Sequence, residues 1–438
     1  MFLRLAVGLF AVRAVVAQPM PQLDKAFDDY WRASSVKDAQ KVADRLVRAA
    51  VPFETAWARL RAGRKYKSQK GSTVMLRLAA VDGTVIENTV EVPREYDPAT
   101  PSPVRIQLHG GVSRSLPAEG DNEPPRPRRV NRIAGETAIY VHPQGFAEAP
   151  WWHYNQVDNL QSVLDRLKRK FNVDENRVYV TGVSDGGTGV YFLAMKLVTP
   201  LSAFLPLNGN MRVLATPDTH ADGQLYPGNF VNRPFFIVNG GQDPLYPVGA
   251  VTPHVVMMEK AGVQVEFRPQ PSAGHDTSWW PTEKAYFERF VRAHPRQPYP
   301  TKLSWETDRA DRYNRLHWLV IDRLGPASSD QALPDVNRFL PPAGGPEQPM
   351  FPRGKPSGRV DVTRTGNRFE ATTRGVAQFT LLLSPDVVDL SRPVSVSVNG
   401  RVVHDGVVRP DVATLFKWAA SDNDRTMLFG AELSILVP

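Results

Sequence analysis

The chain has 438 residues, more than one ordinary core serves, so length favours two or more domains. A composition of 42% hydrophobic and 22% charged residues excludes a wholly disordered chain, and the absence of cysteine excludes disulfides, thiolate metal sites and a cysteine nucleophile. The net charge of +8 admits anionic partners, but Lys and Arg are spread along the chain, and zinc-finger spacing, RNP pattern and basic heptad are all missing, so no nucleic-acid partner is expected.

Arg4, the apolar run Leu5 to Val12 and the closing Val15-Val16-Ala17 before Gln18 predict an export signal over 1–17 and a secreted or periplasmic protein. That run is too short to span a bilayer and no later stretch is long enough, so no integral membrane segment is expected after cleavage. Residues 18–71 read as a helical extension packed on the main domain. Within it, Leu23 to Ala50 is one helix and Phe53 to Leu60 a short second one after Pro52. Thr73 to Ala80 and Val85 to Val92 form a hairpin around Asp82-Gly83.

From there to residue 294 strands alternate with helices. Val104 to Leu108, Ala138 to Val141, Arg177 to Gly182, Phe204 to Leu207, Phe235 to Asn239 and Val263 to Phe267 are the strands. Asn159 to Phe171, Gly186 to Val198, Val255 to Ala261 and Thr282 to Arg292 are the helices. Alternation of this kind predicts an α/β domain over 72–294, with a mostly parallel sheet covered on both faces. The basic run Arg126-Pro127-Arg128-Arg129 reads as surface loop. Residues 295–438 read as a β-rich accessory domain, a small sandwich of short alternating strands with Asn399-Gly400 as a tight hairpin, and it includes a Pro/Gly-rich linker at 325–358.

Three segments carry chemistry. Gly182-Val183-Ser184-Asp185-Gly186 fits the G-x-S-x-G turn, set between a predicted strand and a predicted helix. Glycine is needed on both sides of the serine because side chains there collide across the turn, so Ser184 reads as a nucleophile. His275 follows the last predicted strand and is the candidate general base. His142 and His153 precede the serine, and His220, His254, His294, His317 and His404 lie in less suitable places. Asp243, one turn past the strand Phe235 to Asn239, is the candidate acid, preferred over Asp218, Asp222 and Asp276. The order Ser, Asp, His along the chain is that of α/β-hydrolases. His109-Gly110-Gly111 ends an early strand. Backbone N–H groups of Gly110 or Gly111, or of Val112, with that of Asp185, are candidates for an oxyanion hole. The pairs Trp151-Trp152 and Trp279-Trp280 either wall a substrate pocket or pack on neighbouring helices.

The set Leu108-His109-Gly110-Gly111, Gly182 to Gly187, Gly240-Gly241-Gln242-Asp243-Pro244 and Gly274-His275 resembles the secreted bacterial α/β-hydrolases. Among these are carboxylesterases related to polyhydroxyalkanoate depolymerases and feruloyl esterases, and the catalytic domains of prolyl-oligopeptidase-like enzymes. The resemblance spans about Thr73 to His294. It implies an α/β-hydrolase fold, attack by Ser184 on an acyl carbon, and a small-molecule or polymer-linked ester as substrate, with no metal or organic cofactor. The segment before the domain is far too short for a propeller, which favours an esterase over a peptidase. A peptidase using the same residues is the alternative, and a glycan-binding protein with a retired hydrolase core is a rival of another class.

Overall fold

The structure, a computed structural model, describes residues 20–69, 71–113, 115, 137–326, 337–339, 346 and 348–438. The expected export signal, the Arg126–Arg129 run and much of the expected linker lie outside the described residues.

Three helices come first: α1 (Met20–Arg32), α2 (Val36–Arg48) and α3 (Phe53–Ala62). The expected single helix from Leu23 is therefore two. Ser35 breaks it with extended backbone and caps α2, its side chain accepting from the Asp38 N–H at 3.1 Å. The hairpin β1 (Thr73–Ala79) and β2 (Val85–Glu91) leads into β3 (Ser102–Leu108), β4 (Ile139–Pro143), α4 (Tyr154–Lys170), β5 (Val173–Val183), α5 (Asp185–Lys196) and β6 (Ala203–Leu207). Next are β7 (Phe235–Gly240), α6 (Val248–Lys260), β8 (Val265–Gln270) and α7 (Trp280–Ala293).

The eight strands form one sheet in the order β1-β2-β4-β3-β5-β6-β7-β8, with β4 to β8 and β3 all parallel and the hairpin antiparallel at one edge. The chain thus has the α/β-hydrolase fold. Its central strands are apolar on both faces, as a sheet buried between helices requires: every residue of β6 and β7 is buried. A buried bidentate pair between Arg105 on β3 and Glu288 on α7, at 2.8 and 2.6 Å, fixes α7 under the sheet.

The C-terminal part holds β9 (Lys302–Thr307), β10 (Arg315–Leu316), β11 (Leu319–Leu324), β12 (Arg338–Phe339), β13 (Gln348–Pro349), β14 (Gly358–Thr365), β15 (Arg368–Arg374) and β16 (Val376–Leu383). It ends with β17 (Pro393–Val398), β18 (Arg401–Val407), α8 (Val412–Asp422) and β19 (Ala431–Leu436). A five-stranded sheet, β18-β17-β15-β14-β9, faces a four-stranded one, β10-β11-β16-β19, across a shared apolar core that includes Val362, Phe369, Ile321 and Phe379. The edge strand β9 docks on the α/β domain through two asparagines. Asn229 bonds both backbone groups of Glu306, and Asn232 those of Ser304, at 2.7–3.1 Å.

The N-terminal helices differ from expectation in what they pack against. Leu23, Phe27, Tyr30, Val42 and Leu46 share a core with Leu415, Phe416 and Ala420 of α8, not with the central sheet. Polar contacts tie this layer to α4, such as Arg64 Nη1 donating to Lys168 O at 2.9 Å and Arg169 Nη1 to Ala33 O at 2.9 Å. No described helix is long and apolar enough to cross a membrane.

Candidate functional site

Strand β5 delivers Ser184 at the carboxyl edge of the sheet, and α5 starts immediately after it. The turn is tight. A Cβ on Gly182 would lie 2.3 Å from the Gly186 backbone, and one on Gly186 would lie 2.2 Å from Leu108 O. Ser184 itself sits at φ 59° and ψ −121°. Side chains avoid this region at a cost of about 1–3 kcal/mol, so the surroundings must hold it there. Its N–H donates to Leu207 O at 3.0 Å, and its carbonyl accepts the first helical bond, from Thr188 N–H, also at 3.0 Å.

Two later loops bring the partners. Asp243 follows β7 and His275 follows β8. The loops lie backbone on backbone: a Cβ on Gly240 would meet Gly274 O at 2.4 Å and Ala273 O at 2.5 Å. Ser184 Oγ lies 2.8 Å from His275 Nε2, and His275 Nδ1 lies 2.7 Å from Asp243 Oδ2. Since the carboxylate only accepts, Nδ1 carries the proton and Nε2 accepts from the serine hydroxyl. The Asp243 side chain is fully buried. Its other oxygen, Oδ1, accepts from the N–H groups of Leu245 at 2.8 Å and Tyr246 at 2.9 Å. The Tyr246 ring stands edge-on to His275, with centroids 5.6 Å apart. Burial, with the charges of Asp185 and Asp243 nearby, holds the Tyr246 phenol above its ordinary pKa.

Asn208, just past β6, is a further support that the sequence reading passed over. It is buried at φ 46° and donates from Nδ2 to Asp276 O at 2.7 Å, bracing the backbone beside His275.

The loop after β3 is held from three sides. Val112 N–H donates to Asp185 Oδ2 at 2.9 Å, which ties this loop to the residue after Ser184. Trp151 Nε1 donates to His109 O at 2.8 Å, and Gly145 N–H donates to His109 Nε2 at 3.0 Å. With Nε2 accepting, Nδ1–H donates to Gly110 O at 2.8 Å. Of the three N–H groups left open by the sequence, that of Val112 is therefore spent on a carboxylate. His109 and Trp151 gain a supporting role that no motif announces, because their partners are backbone atoms.

The tryptophans divide from the pocket-wall expectation. Trp151 is 1% exposed and lies under the β3 loop. Trp279 is also buried, in a cluster with Phe236, Phe287 and Phe290, and Trp280 stands edge-on to Phe287 at 5.2 Å. These three pack on structure. Trp152 is buried as well, and its Nε1, like that of Trp279, has no hydrogen-bond partner among the described residues.

The rival residues lie elsewhere. Asp222 caps α4 by accepting from Tyr154 N–H at 2.7 Å, and Asp276 accepts from Ser278 N–H at 2.8 Å. His254 is buried on α6, where desolvation and Arg212 lower its pKa to about 4. His317 is buried between the α/β domain and the β-rich part, accepting from Arg233 and donating to Pro298 O at 2.9 Å. Among the described residues, no three His, Asp or Glu side chains cluster as metal ligands.

Comparison with known proteins gives weak relatives. No family model matches. The bifunctional acetylxylan esterase/xylanase of Neocallimastix patriciarum is 25% identical over 111 residues, which is 25% of this chain and 16% of that protein. The Aspergillus niger protein described as "Probable feruloyl esterase C" is 28% identical over 160 residues, 35% of this chain and 57% of that protein. The chain thus matches a small part of the first and little more than half of the second. Among solved structures, a thermostable esterase superposes with a TM-score of 0.39 at 19% identity, covering 51% of this chain and 63% of its own. The acylaminoacyl peptidase of Pyrococcus horikoshii superposes with a TM-score of 0.41 at 14% identity, covering 53% and 43%.

Proposed function

We propose that the chain is an exported serine hydrolase that cleaves carboxylic esters, small or carried on a polymer, through an acyl-enzyme. The observation behind this reading is the continuous hydrogen-bonded line from Ser184 through His275 to Asp243, at the carboxyl edge of a parallel sheet. In this reading His275 takes the hydroxyl proton as Ser184 Oγ attacks the acyl carbon. Asp243 fixes the tautomer and stabilises the imidazolium that forms. The oxyanion meets the N–H of Asp185 and those of Gly110 and Gly111, since Val112 is engaged. One such donor is worth about 2.7–4 kcal/mol in the transition state. His275 then returns its proton to the leaving alcohol, and a water repeats the sequence on the acyl group.

Esters are favoured over amides because an alkoxide leaves with little help, whereas an amine must be protonated as it departs. The two relatives, both named as esterases, support the same choice. The intact serine, histidine and aspartate speak against a retired core. The test is a matched pair of ester and amide substrates with one acyl group. The expected result is a higher kcat/KM for the ester. An equal or higher value for an unactivated aminoacyl amide promotes the peptidase alternative.

A further inference from the structure

Between the N-terminal helices, the β1–β2 hairpin and the last turn of α4 runs a groove of about 1190 Å³. Eight of the side chains lining it are basic and two are acidic. Both acids are already engaged, Asp24 by Arg59 and Asp28 by Arg32 at 3.8 Å. The floor is cationic. Arg64 donates to Trp31 O, Lys168 O and Asn423 Oδ1 at 2.7–3.2 Å, so none of these partners is a carboxylate. Burial lowers its pKa, and the charge of nearby Arg169 adds to that.

Arg169 pairs with Asp165 through Nε at 2.7 Å, but its Nη2 is buried without a hydrogen-bond partner among the described residues, on a side chain only 9% exposed. At the rim, Lys65, Lys67 and Arg166 are exposed and pair with no described carboxylate. Two neighbouring guanidiniums in a partly dewatered floor repel each other and lose hydration, a cost that a bound anion offsets. Planar guanidinium groups suit carboxylates in particular. The half-buried rings of Trp31 and Tyr66 line the groove among these cations, with the Arg64 guanidinium 5.0 Å from the Trp31 ring centroid and that of Arg425 5.9 Å from the Tyr66 centroid.

We propose that this groove is a second binding site, for an anionic polysaccharide whose carboxylates pair with Arg64, Arg169 and the basic rim. The choice of a polysaccharide rests on the ester-hydrolase reading above, in which the ester is carried on a polymer. The groove is remote from the candidate site. It borders the end of α4, which leads into β5 at Val173, whereas Ser184 follows the far end of β5 at Val183. At about 3.3 Å per residue that separation is roughly 30 Å. A polymer held there stays near the enzyme without occupying the reactive serine.

Affinity electrophoresis of the full chain tests this, with polygalacturonate, a neutral glucan of similar length and a single-stranded oligonucleotide in the gel. The expected result is retardation by polygalacturonate that weakens with salt and falls at least tenfold in Lys67→Glu/Arg166→Glu, with little effect from the neutral glucan. Hydrolysis of a small p-nitrophenyl ester stays within twofold in that variant. Equal retardation by the neutral glucan, an unchanged affinity in the double variant, or tighter binding of the oligonucleotide overturns the proposal. Binding and hydrolysis are read separately, so loss of the ester activity with uronate binding retained sinks the reading of the Ser184 site and leaves the groove standing.

Discussion

Replacing Asp243 by asparagine has an outcome that the local hydrogen bonds dictate. Oδ1 accepts two backbone N–H groups, from Leu245 and Tyr246, and Oδ2 faces His275 Nδ1. An amide turned with its nitrogen toward those two N–H groups places three donors together in a buried site, so the oxygen keeps that position and the NH2 group faces His275. Nδ1 must then accept, the ring proton moves to Nε2, and Nε2 no longer accepts the Ser184 proton. Triads with the wrong tautomer lose about 10⁴ in kcat, which is roughly 5 kcal/mol of transition-state stabilisation. The fold keeps both backbone bonds, so Tm changes little. Asp243→Ala strands two N–H donors instead, and it destabilises the protein by about 1–3 kcal/mol for each one left without a partner. The assay is the steady-state hydrolysis of p-nitrophenyl acetate, with thermal melts of both variants. An Asp243→Asn enzyme within tenfold of the parent kcat refutes the reasoning about the tautomer.

Other outcomes follow from neighbouring contacts. Asp185→Ala removes the acceptor of Val112 N–H while keeping the Asp185 N–H itself. The loop bearing Gly110 and Gly111 then loses one of its three anchors, and kcat is expected to fall by up to about 10²–10³, the loss that follows when an oxyanion donor is displaced. KM should stay near the parent value, and steady-state kinetics on one ester separates the two. Acid should destabilise the fold through buried histidines. His254, about 4 when folded against an ordinary 6.5, and His317, also held low, both resist protonation, mainly because burial disfavours the charged ring. Their contribution is fully present above about pH 6.5 and is lost as pH falls toward the folded values, because the unfolded chain binds the protons first. For His254 that amounts to on the order of 3 kcal/mol. Melts at pH 7.5 and 5 should show a drop in Tm, smaller in His254→Gln, and an equal drop in that variant counts against the assignment.

Much of the α/β part was legible because its strands are short apolar runs bounded by turn residues, and burial on both faces writes itself into such runs. The three segments that the structure joins around Ser184 were legible for a related reason: each is a loop just past a strand, and parallel strands all end at one edge. Other features left fainter traces. The break at Ser34-Ser35 lies inside an otherwise helical pattern, and its one sign is Ser35-Val36-Lys37-Asp38, a serine three residues before an acid, which is the spacing of a helix cap. Strand β9 was not named as a strand because Trp305 stands among polar residues, yet Ser304 and Glu306 are buried through hydrogen bonds to Asn232, Asn229 and Arg353, all distant in sequence. Helix α8 follows a run of short strands, and its apolar residues make sense only once α1 and α2 cover them. The bonds from Trp151 to His109 O and from Val112 N–H to Asp185 involve backbone atoms, which no side-chain pattern encodes.

The central claim is that Ser184 is the nucleophile, and labelling tests it most directly. Full-length protein and Ser184→Ala are each treated with a fluorophosphonate, and the modified residue is located by peptide mass mapping. The account predicts one adduct, on Ser184, in step with loss of esterase activity, and none in the folded Ser184→Ala variant. Stoichiometric labelling of that variant, or an adduct on another serine that tracks the activity, contradicts it.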